Sequence, residues 1–325
     1  MRKNETEQET VIRPQLRALV DNVEKVVVGK RREVELSLIA ILSGGHVLLE
    51  DVPGVGKTMM VRAIAKSLGA EFKRIQFTPD LLPSDVTGVS IYNQKTMEFE
   101  FRRGPVMANI VLADEINRTS PKTQAALLEA LEEGSVTTDG ETRPLDKPFF
   151  VMATQNPIEY GGTYPLPEAQ LDRFLFKFRI GYPTKAEELD VLRRVEKQHP
   201  IESLAPVMAL EELLRMQEEV KDVHVADNVK QYIISIVNAT RQHHHVYLGG
   251  SPRASIALMK AGQAYAYMQE RSYVIPDDIK YLASFVLQHR ILLNSEAKLS
   301  EMESSRIIFD ILEQVHIPAE NDKAQ

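Results

Sequence analysis

Cysteine is absent from this sequence of 325 residues. Its absence excludes a disulfide framework, a thiolate metal site and a cysteine nucleophile. A chain of this kind suits a reducing compartment, where disulfides are rare. We therefore expect a cytoplasmic location.

Long apolar runs and an excess of positive charge are also missing. Residues 1–10 are polar and charged, unlike the apolar stretch of a secretory signal, and no later run is long enough to span a bilayer. The formal net charge is −7 and the pI is near 5.7. We expect no membrane insertion. The acidic balance also disfavours a broad nucleic-acid surface, although it leaves room for a local basic loop.

The hydrophobic content of 43% is sufficient for a large core, and the length suggests two domains or one large domain with a smaller one appended. Short apolar segments alternate with helical stretches, which predicts an α/β fold with a parallel sheet wrapped by helices. The predicted strands are residues 46–50, 72–77, 110–113, 149–153 and 174–180. After Pro183 the pattern is helical only. The sequence therefore predicts an α/β core over residues 1–182 and a helical domain over residues 183–325.

Three further elements complete the predicted core. Apolar positions at helical spacing predict a helix over residues 13–28, followed by a turn at Gly29. Residues 90–101 and 135–145 predict β-hairpins, and the second would turn at Asp139-Gly140. Both hairpins interrupt the alternation of strands and helices.

A candidate phosphate-binding loop follows the first predicted strand. The segment DVPGVGKT, residues 51–58, leads directly into a helical run. In such a loop, glycines let backbone N–H groups converge on phosphate oxygens, and the helix N-terminus adds its positive dipole. Lys57 would reach the β and γ phosphates, and Thr58 would ligate Mg²⁺. The segment predicts ATP and Mg²⁺ as ligands.

The loop departs from the common G-x-x-x-x-G-K-S/T pattern at its first position, where Asp51 replaces glycine. The alternative is an ordinary junction of strand, turn and helix that contains Gly-Lys-Thr by chance. The order of strand, loop and helix favours the functional interpretation. The residues predicted to contact nucleotide here are Pro53, Gly54, Val55, Gly56, Lys57, Thr58 and Met59.

A second acidic centre ends another predicted strand. Asp114 and Glu115 follow the apolar run 109–113, where the carboxyl edge of a parallel sheet meets its ligand. Asp114 would hold Mg²⁺ through its water shell. Glu115 would orient and polarise the water that attacks the γ phosphate. Alone, the pair could be a helix cap, but together with the phosphate loop it predicts a hydrolytic site.

At these motifs the sequence resembles the AAA+ ATPases, and the residues of the motifs are similar to those of the MoxR family among them. The resemblance covers nearly the whole chain, and Asp51 is a common variant in that family. It implies a five-stranded P-loop core with a C-terminal helical lid. The stretches that carry it are LLEDVPGVGKT at 48–58, VLADEINR at 111–118, PKTQAALLE at 121–129, MATQNP at 152–157 and LPEAQLDRF at 166–174.

The resemblance assigns roles to three more residues. Asn156, in ATQNP, matches the polar sensor that contacts the γ phosphate and the attacking water. Arg173, in LDRF, matches the arginine finger that reaches the γ phosphate of a neighbouring subunit. Arg253, in GSPRA, matches the second sensor, which couples nucleotide state to lid position. Without the motifs, a solvated or salt-bridged arginine would be the simpler interpretation of both arginines.

The family also indicates where the base binds. Val27, Val28 and Gly29 resemble the segment that packs against adenine, and apolar residues beside a turn suit that role. Packing in the core is the competing explanation. Arg118 is a weaker candidate for a contact between subunits. The two predicted hairpins resemble family insertions that face the pore or partners.

The resemblance implies chaperone-like remodelling by a homo-oligomer, a hexameric ring, acting on a protein client with a von Willebrand factor A domain partner. A metal-chelatase motor subunit and a nucleic-acid motor or loader share these motifs and are alternatives. The acidic charge disfavours the latter. A nucleotide switch without turnover is a further alternative, against which Glu115, Asn156 and Arg173 argue.

Overall fold

The structure is a computed structural model of the chain. It describes residues 12–52, 54–156, 163–196 and 199–318. The helices are α1 Pro14–Glu24, α2 Arg31–Leu42, α3 Lys57–Ser67, α4 Pro83–Thr87, α5 Pro121–Glu133, α6 Glu168–Leu171, α7 Lys185–Val195, α8 Pro200–Ser203, α9 Leu210–Lys221, α10 Asp227–Gln242, α11 Pro252–Met268, α12 Pro276–Leu287, α13 Ser295–Leu299 and α14 Ser304–Gln314. The strands are β1 Val47–Glu50, β2 Phe72–Gln76, β3 Gly88–Asn93, β4 Glu98–Arg103, β5 Ile110–Asp114, β6 Ser135–Thr138, β7 Glu141–Pro144, β8 Phe150–Gln155, β9 Phe176–Phe178, β10 Val246–Leu248 and β11 Leu292–Leu293.

Five strands form one parallel sheet in the order β2-β5-β8-β1-β9. The predicted strand segments are confirmed, and so is the five-stranded parallel core. The register pairs Gln76 with Asp114 and Glu50 with Gln155. The carboxyl ends of β1, β2, β5 and β8 therefore meet along a single edge, which is where parallel sheets bind ligands.

Alternate residues of the strands pack on opposite faces of the sheet. Val47 and Leu49 of β1 belong to the larger core cluster, which includes α1, α2 and α3 and extends into helices α9 to α12 and α14. Leu48 belongs to the smaller cluster, formed with α4 and α5. The period-2 side-chain direction of a strand thus divides one apolar run between two layers. The C-terminal helices pack on the first of these layers.

Both predicted hairpins are present. β3 pairs with β4 and β6 with β7, each antiparallel and outside the main sheet. Asp139 and Gly140 both have positive φ, 55° and 78°, as an Asp-Gly hairpin turn requires. In the longer hairpin, Met97 has a φ of 58°.

The C-terminal part is helical as predicted, with one addition. β10 and β11 form a short antiparallel pair between helices that the sequence pattern alone connected by loops. The boundary that we predict near Pro183 falls between β9 and α7. Among the described helices, none has the length and apolar character needed to cross a bilayer.

Candidate nucleotide site

The phosphate loop joins β1 to α3, and α3 begins at Lys57. Gly54 and Gly56 have φ values of 87° and 89°, a backbone conformation that glycine adopts at little cost. A Cβ on either glycine would meet no atom within 4 Å, so backbone conformation, not crowding, requires glycine. Since no side chain caps the start of α3, its first backbone N–H groups suit an anion. Pro53 lies outside the described residues.

Asp51 anchors the beginning of this loop. Its buried carboxylate accepts hydrogen bonds from the backbone N–H groups of Ile180 and Gly181, the latter at 3.2 Å, just beyond β9. The ammonium group of Lys57 donates to the carbonyl oxygen of Asp51 at 3.1 Å. The residue that replaces the usual glycine therefore ties the loop to the segment that leads into α7.

Asp114 lies buried at the end of β5, among hydrogen-bond donors. Its Oδ2 accepts from Arg74, with Nη2 at 2.6 Å and Nε at 3.2 Å, and its Oδ1 accepts from the Thr154 hydroxyl at 2.7 Å. A carboxylate has further acceptor capacity, so a metal-bound water can still reach it. Thr58 and Asp114 supply hydroxyl and carboxylate oxygens, the donor types that fit Mg²⁺.

Glu115 has a left-handed backbone, with φ 60° and ψ 47°, which is uncommon for a residue other than glycine. Its N–H donates to the Thr154 hydroxyl at 2.8 Å. Its Oε2 accepts from Gln76 Nε2 at 2.7 Å and from Arg118 Nη1 at 2.9 Å. Such strained positions cluster at functional sites. Arg118, which we considered for a contact between subunits, here binds Glu115.

Asn156 follows β8 at the same edge of the sheet and is buried. Its backbone carbonyl oxygen accepts a hydrogen bond from Asn117 Nδ2 at 3.4 Å. The structure thus brings the ends of β1, β5 and β8 together with their predicted polar residues.

A cavity of about 180 Å³ adjoins the phosphate loop. It contains Val28, which we predicted to pack against adenine. Gly29 has a φ of 69°, and the Glu187 side chain lies where its Cβ would stand, with one oxygen at 1.8 Å. Helix α7 therefore closes on this turn. Other lining residues are Val26, Val27, Gly54, Val55, Gly56, Met59, Pro183, Val191, Arg194, Val195 and His199.

Arg173 and Arg253 meet each other at Glu132 on α5. Arg173 Nη2 lies 2.8 Å from Glu132 Oε2, and Arg253 Nη2 lies 2.5 Å from Glu132 Oε1. Arg173 Nη1 also donates to the Leu128 carbonyl at 2.6 Å. Among the hydrogen bonds and ion pairs of the described residues, neither arginine contacts the phosphate loop. The two predicted arginines thus form a separate cationic pair.

Several residues of the site escaped sequence reasoning. Arg74, Gln76 and Thr154 hold the two carboxylates. We interpreted the strand of Arg74 and Gln76 only as an apolar segment, and we gave Thr154 no role although it lies in the MATQNP stretch. Arg74 and Gln76 are two residues apart on a strand, so their shared face could have been inferred from the period of two. Glu132 lies in a charged helix end with no motif of its own. No local pattern indicates that it would contact both arginines.

The fold, the phosphate loop and the acidic pair define a P-loop ATPase of the AAA+ class. Residues 46–176 match the ATPase family associated with various cellular activities (AAA), and residues 238–311 match the AAA lid domain. A crystal structure of a Cytophaga hutchinsonii protein, proposed to be an ATPase, has a TM-score of 0.89 and 44% identity, covering 94% of this chain and 95% of that chain.

Two curated relatives narrow the assignment. Chaperone MoxR1 of Mycobacterium tuberculosis is 42% identical, over 94% of this chain and 83% of its own length. YeaC of Bacillus subtilis is 66% identical, over 95% of this chain and 97% of its own length. The chain belongs to the MoxR family of AAA+ ATPases.

Proposed function

We propose that this ATPase hydrolyses ATP with Mg²⁺ at the edge of the sheet where β1, β5 and β8 end. The observation that carries the proposal is the meeting of an uncapped helix start at Lys57 with Asp114, Glu115 and Asn156 at that edge. The cavity beside Val28 would take the base, and the N–H groups of the loop would bind the phosphates.

Each residue has a defined task in this proposal. Thr58 would hold Mg²⁺ directly and Asp114 through water, and the ion would neutralise charge on the phosphate oxygens. Glu115 accepts the proton of the water that attacks the γ phosphorus, while the bond to the β–γ bridging oxygen breaks. Asn156 orients that water, and Lys57 binds the β and γ phosphates.

Arg173 acts on a neighbouring subunit in this proposal, as the resemblance implies. We extend this role to Arg253, which the resemblance gives as the lid sensor, because the two arginines share Glu132. Both guanidinium groups lie against α5, and each forms an ion pair with Glu132. A second subunit that presents its nucleotide to this pair completes the site, and a closed hexameric ring lets every subunit do so. A guanidinium supplied from a neighbour stabilises charge that develops on the transferred phosphoryl group.

In this proposal, the energy of ATP hydrolysis drives chaperone-like remodelling of a protein client in the cytoplasm. The relative named as a chaperone supports that choice. The family resemblance further suggests a partner with a von Willebrand factor A domain. The β3–β4 hairpin, outside the main sheet, offers an exposed apolar surface for such proteins, with Phe99 73% and Met97 71% exposed.

Glu115→Gln tests the catalytic assignment. The amide keeps the shape of the side chain but cannot accept the proton, so we expect turnover to fall by about 100-fold or more with ATP binding retained. Steady-state ATPase activity across protein concentration, with mass determination in ATP, measures both turnover and assembly.

Three outcomes would contradict parts of this proposal. Undiminished turnover by Glu115→Gln would remove that residue from the chemistry. Concentration-independent turnover by a monomer would remove Arg173 and Arg253. Stimulation by DNA, measured in parallel, would favour a nucleic-acid motor.

A further inference from the structure

We propose that Glu132 is a positioning residue that holds the guanidinium groups of Arg173 and Arg253 side by side as one anion-binding pair. This inference rests on the proposed function, because it assigns the pair to a neighbouring subunit's nucleotide. It adds a residue that no motif of the chain indicated.

The contacts of Glu132 distribute its carboxylate between two parts of the chain. One oxygen binds Arg173, which precedes β9 in the core, and the other binds Arg253, at the start of α11 in the lid. The Arg173 and Glu132 side chains are only 27% and 33% exposed. One carboxylate therefore fixes the tips of two arginines that are far apart in sequence.

The backbones that carry these arginines are also joined. Asp172 Oδ1 accepts from Arg290 Nε at 2.7 Å, and Asp172 Oδ2 accepts from the Ser251 hydroxyl at 3.1 Å. Ser251 in turn caps α11, accepting from the Arg253 N–H at 3.1 Å. Asp172 thus holds the backbone segments that carry the two arginines, and Glu132 holds their guanidinium groups.

Charge explains why a carboxylate is needed between them. Two guanidinium groups at this separation repel each other, and the shared anion offsets that repulsion. Both also lie at the C-terminal end of α5, whose dipole favours cations. The three charged groups sum to one net positive charge. The Arg173 Nε–H, buried, has no acceptor within the described part of the chain. The net positive charge of the three groups therefore attracts an incoming oxyanion.

An isolated surface salt bridge would contribute little, and loss of Glu132 would then be silent. A shared carboxylate that orients two catalytic groups makes a different prediction. Misplacing them by about 1 Å can lower a rate by roughly 100-fold with little change in substrate binding. The effect should therefore appear in kcat and not in the affinity of a subunit for nucleotide.

Glu132→Gln is the variant to test, with Glu133→Gln as a matched control on the adjacent, exposed residue. We expect Glu132→Gln to lower the kcat for ATP by about 10- to 100-fold. The Kd for a fluorescent ATP analogue and the melting temperature should remain those of Glu133→Gln. Glu132→Asp, which keeps the charge on a shorter stem, should recover part of the lost kcat.

A background variant separates positioning from a general effect on the fold. In a chain that already carries Arg173→Ala and Arg253→Ala, adding Glu132→Gln should lower kcat no further, because the groups it positions are gone. A further loss there would overturn the proposal, and so would a kcat for Glu132→Gln equal to that of Glu133→Gln.

The same experiment distinguishes failure of the proposed function. If the Arg173→Ala, Arg253→Ala chain alone turns over like the wild type, the arginines are not catalytic and both proposals about this pair fall. If that chain is inactive while Glu132→Gln is fully active, only the role of Glu132 is refuted.

Discussion

At the start of the phosphate loop, the carboxylate of Asp51 accepts two backbone N–H groups from Ile180 and Gly181. A glycine at this position would leave both donors without that acceptor. The sequence showed the departure from the loop pattern but not its cause, because the two donors lie about 130 residues away in the chain.

Asp51→Asn tests this anchor. The amide NH₂ would face one of the two backbone donors, so one buried N–H loses its acceptor. We expect the free energy of unfolding to fall by about 1–3 kcal/mol. Urea denaturation measures it, with Asp80→Asn as an exposed control. A change within about 0.5 kcal/mol, typical of surface substitutions, would contradict the anchoring role.

The buried side chain of His46 makes the stability of the fold depend on pH. It is buried between Leu131, whose carbonyl lies 3.2 Å from Nε2, and Val151, whose N–H donates to Nδ1 at 3.1 Å. Burial lowers its pKa from 6.5 to about 4. Between these values the unfolded chain binds a proton that the folded chain does not. Stability is therefore unaffected above pH 6.5 and falls as the pH drops towards 4.

Protonation of His46 should lower the free energy of unfolding by about 3 kcal/mol near pH 4. His46→Gln can keep both hydrogen bonds but does not titrate. Its unfolding free energy should therefore depend less steeply on pH between 6.5 and 4 than that of the wild type. Equal slopes would refute the assignment. His316→Gln, at an exposed position, serves as the control.

Among the secondary-structure elements, strand β2 contributes polar side chains to the site that its apolar pattern did not indicate. It is an edge strand whose polar side chains Arg74 and Gln76 face the acidic pair. Hydrophobic pattern predicted the strand, and the period of two fixes which residues share a face. Which face meets Asp114 and Glu115 depends on the register with β5, a tertiary property.

Arg74→Gln should lower the Mg²⁺ concentration that the ATPase needs. The Arg74 guanidinium partly neutralises Asp114, and its removal leaves more negative charge for the ion. Since Arg74 is 47% exposed, we expect only about a threefold fall in the Mg²⁺ concentration for half-maximal ATPase activity. A Mg²⁺ titration measures it. Lys73→Gln, on the alternate face of β2, is the control, and a shift shared by both variants would contradict the argument.

Helix α7 shows the same limit. Its existence followed from helical spacing, and the structure has it at Lys185–Val195. Its contribution of Val191 and Val195 to the cavity beside Val28 did not follow. The apolar spacing of a helix identifies a face but not what that face covers.

At the scale of the whole molecule, sequence reasoning anticipated the sheet, the hairpins and the helical lid. It did so because strand, loop and helix patterns are local. The meeting of Arg173, Arg253 and Glu132 was beyond it, since three segments must fold together before one carboxylate can serve two arginines.

The contacts of Asp172 have a mechanical consequence. Asp172 lies in the core part of the sequence, yet its carboxylate binds Ser251 and Arg290 of the lid. A rotation of the lid that kept these two hydrogen bonds would move the residues just before β9 together with the lid. We therefore expect such a rotation to bend the chain at β9, the edge strand of the sheet, and not at the linker that leads into α7.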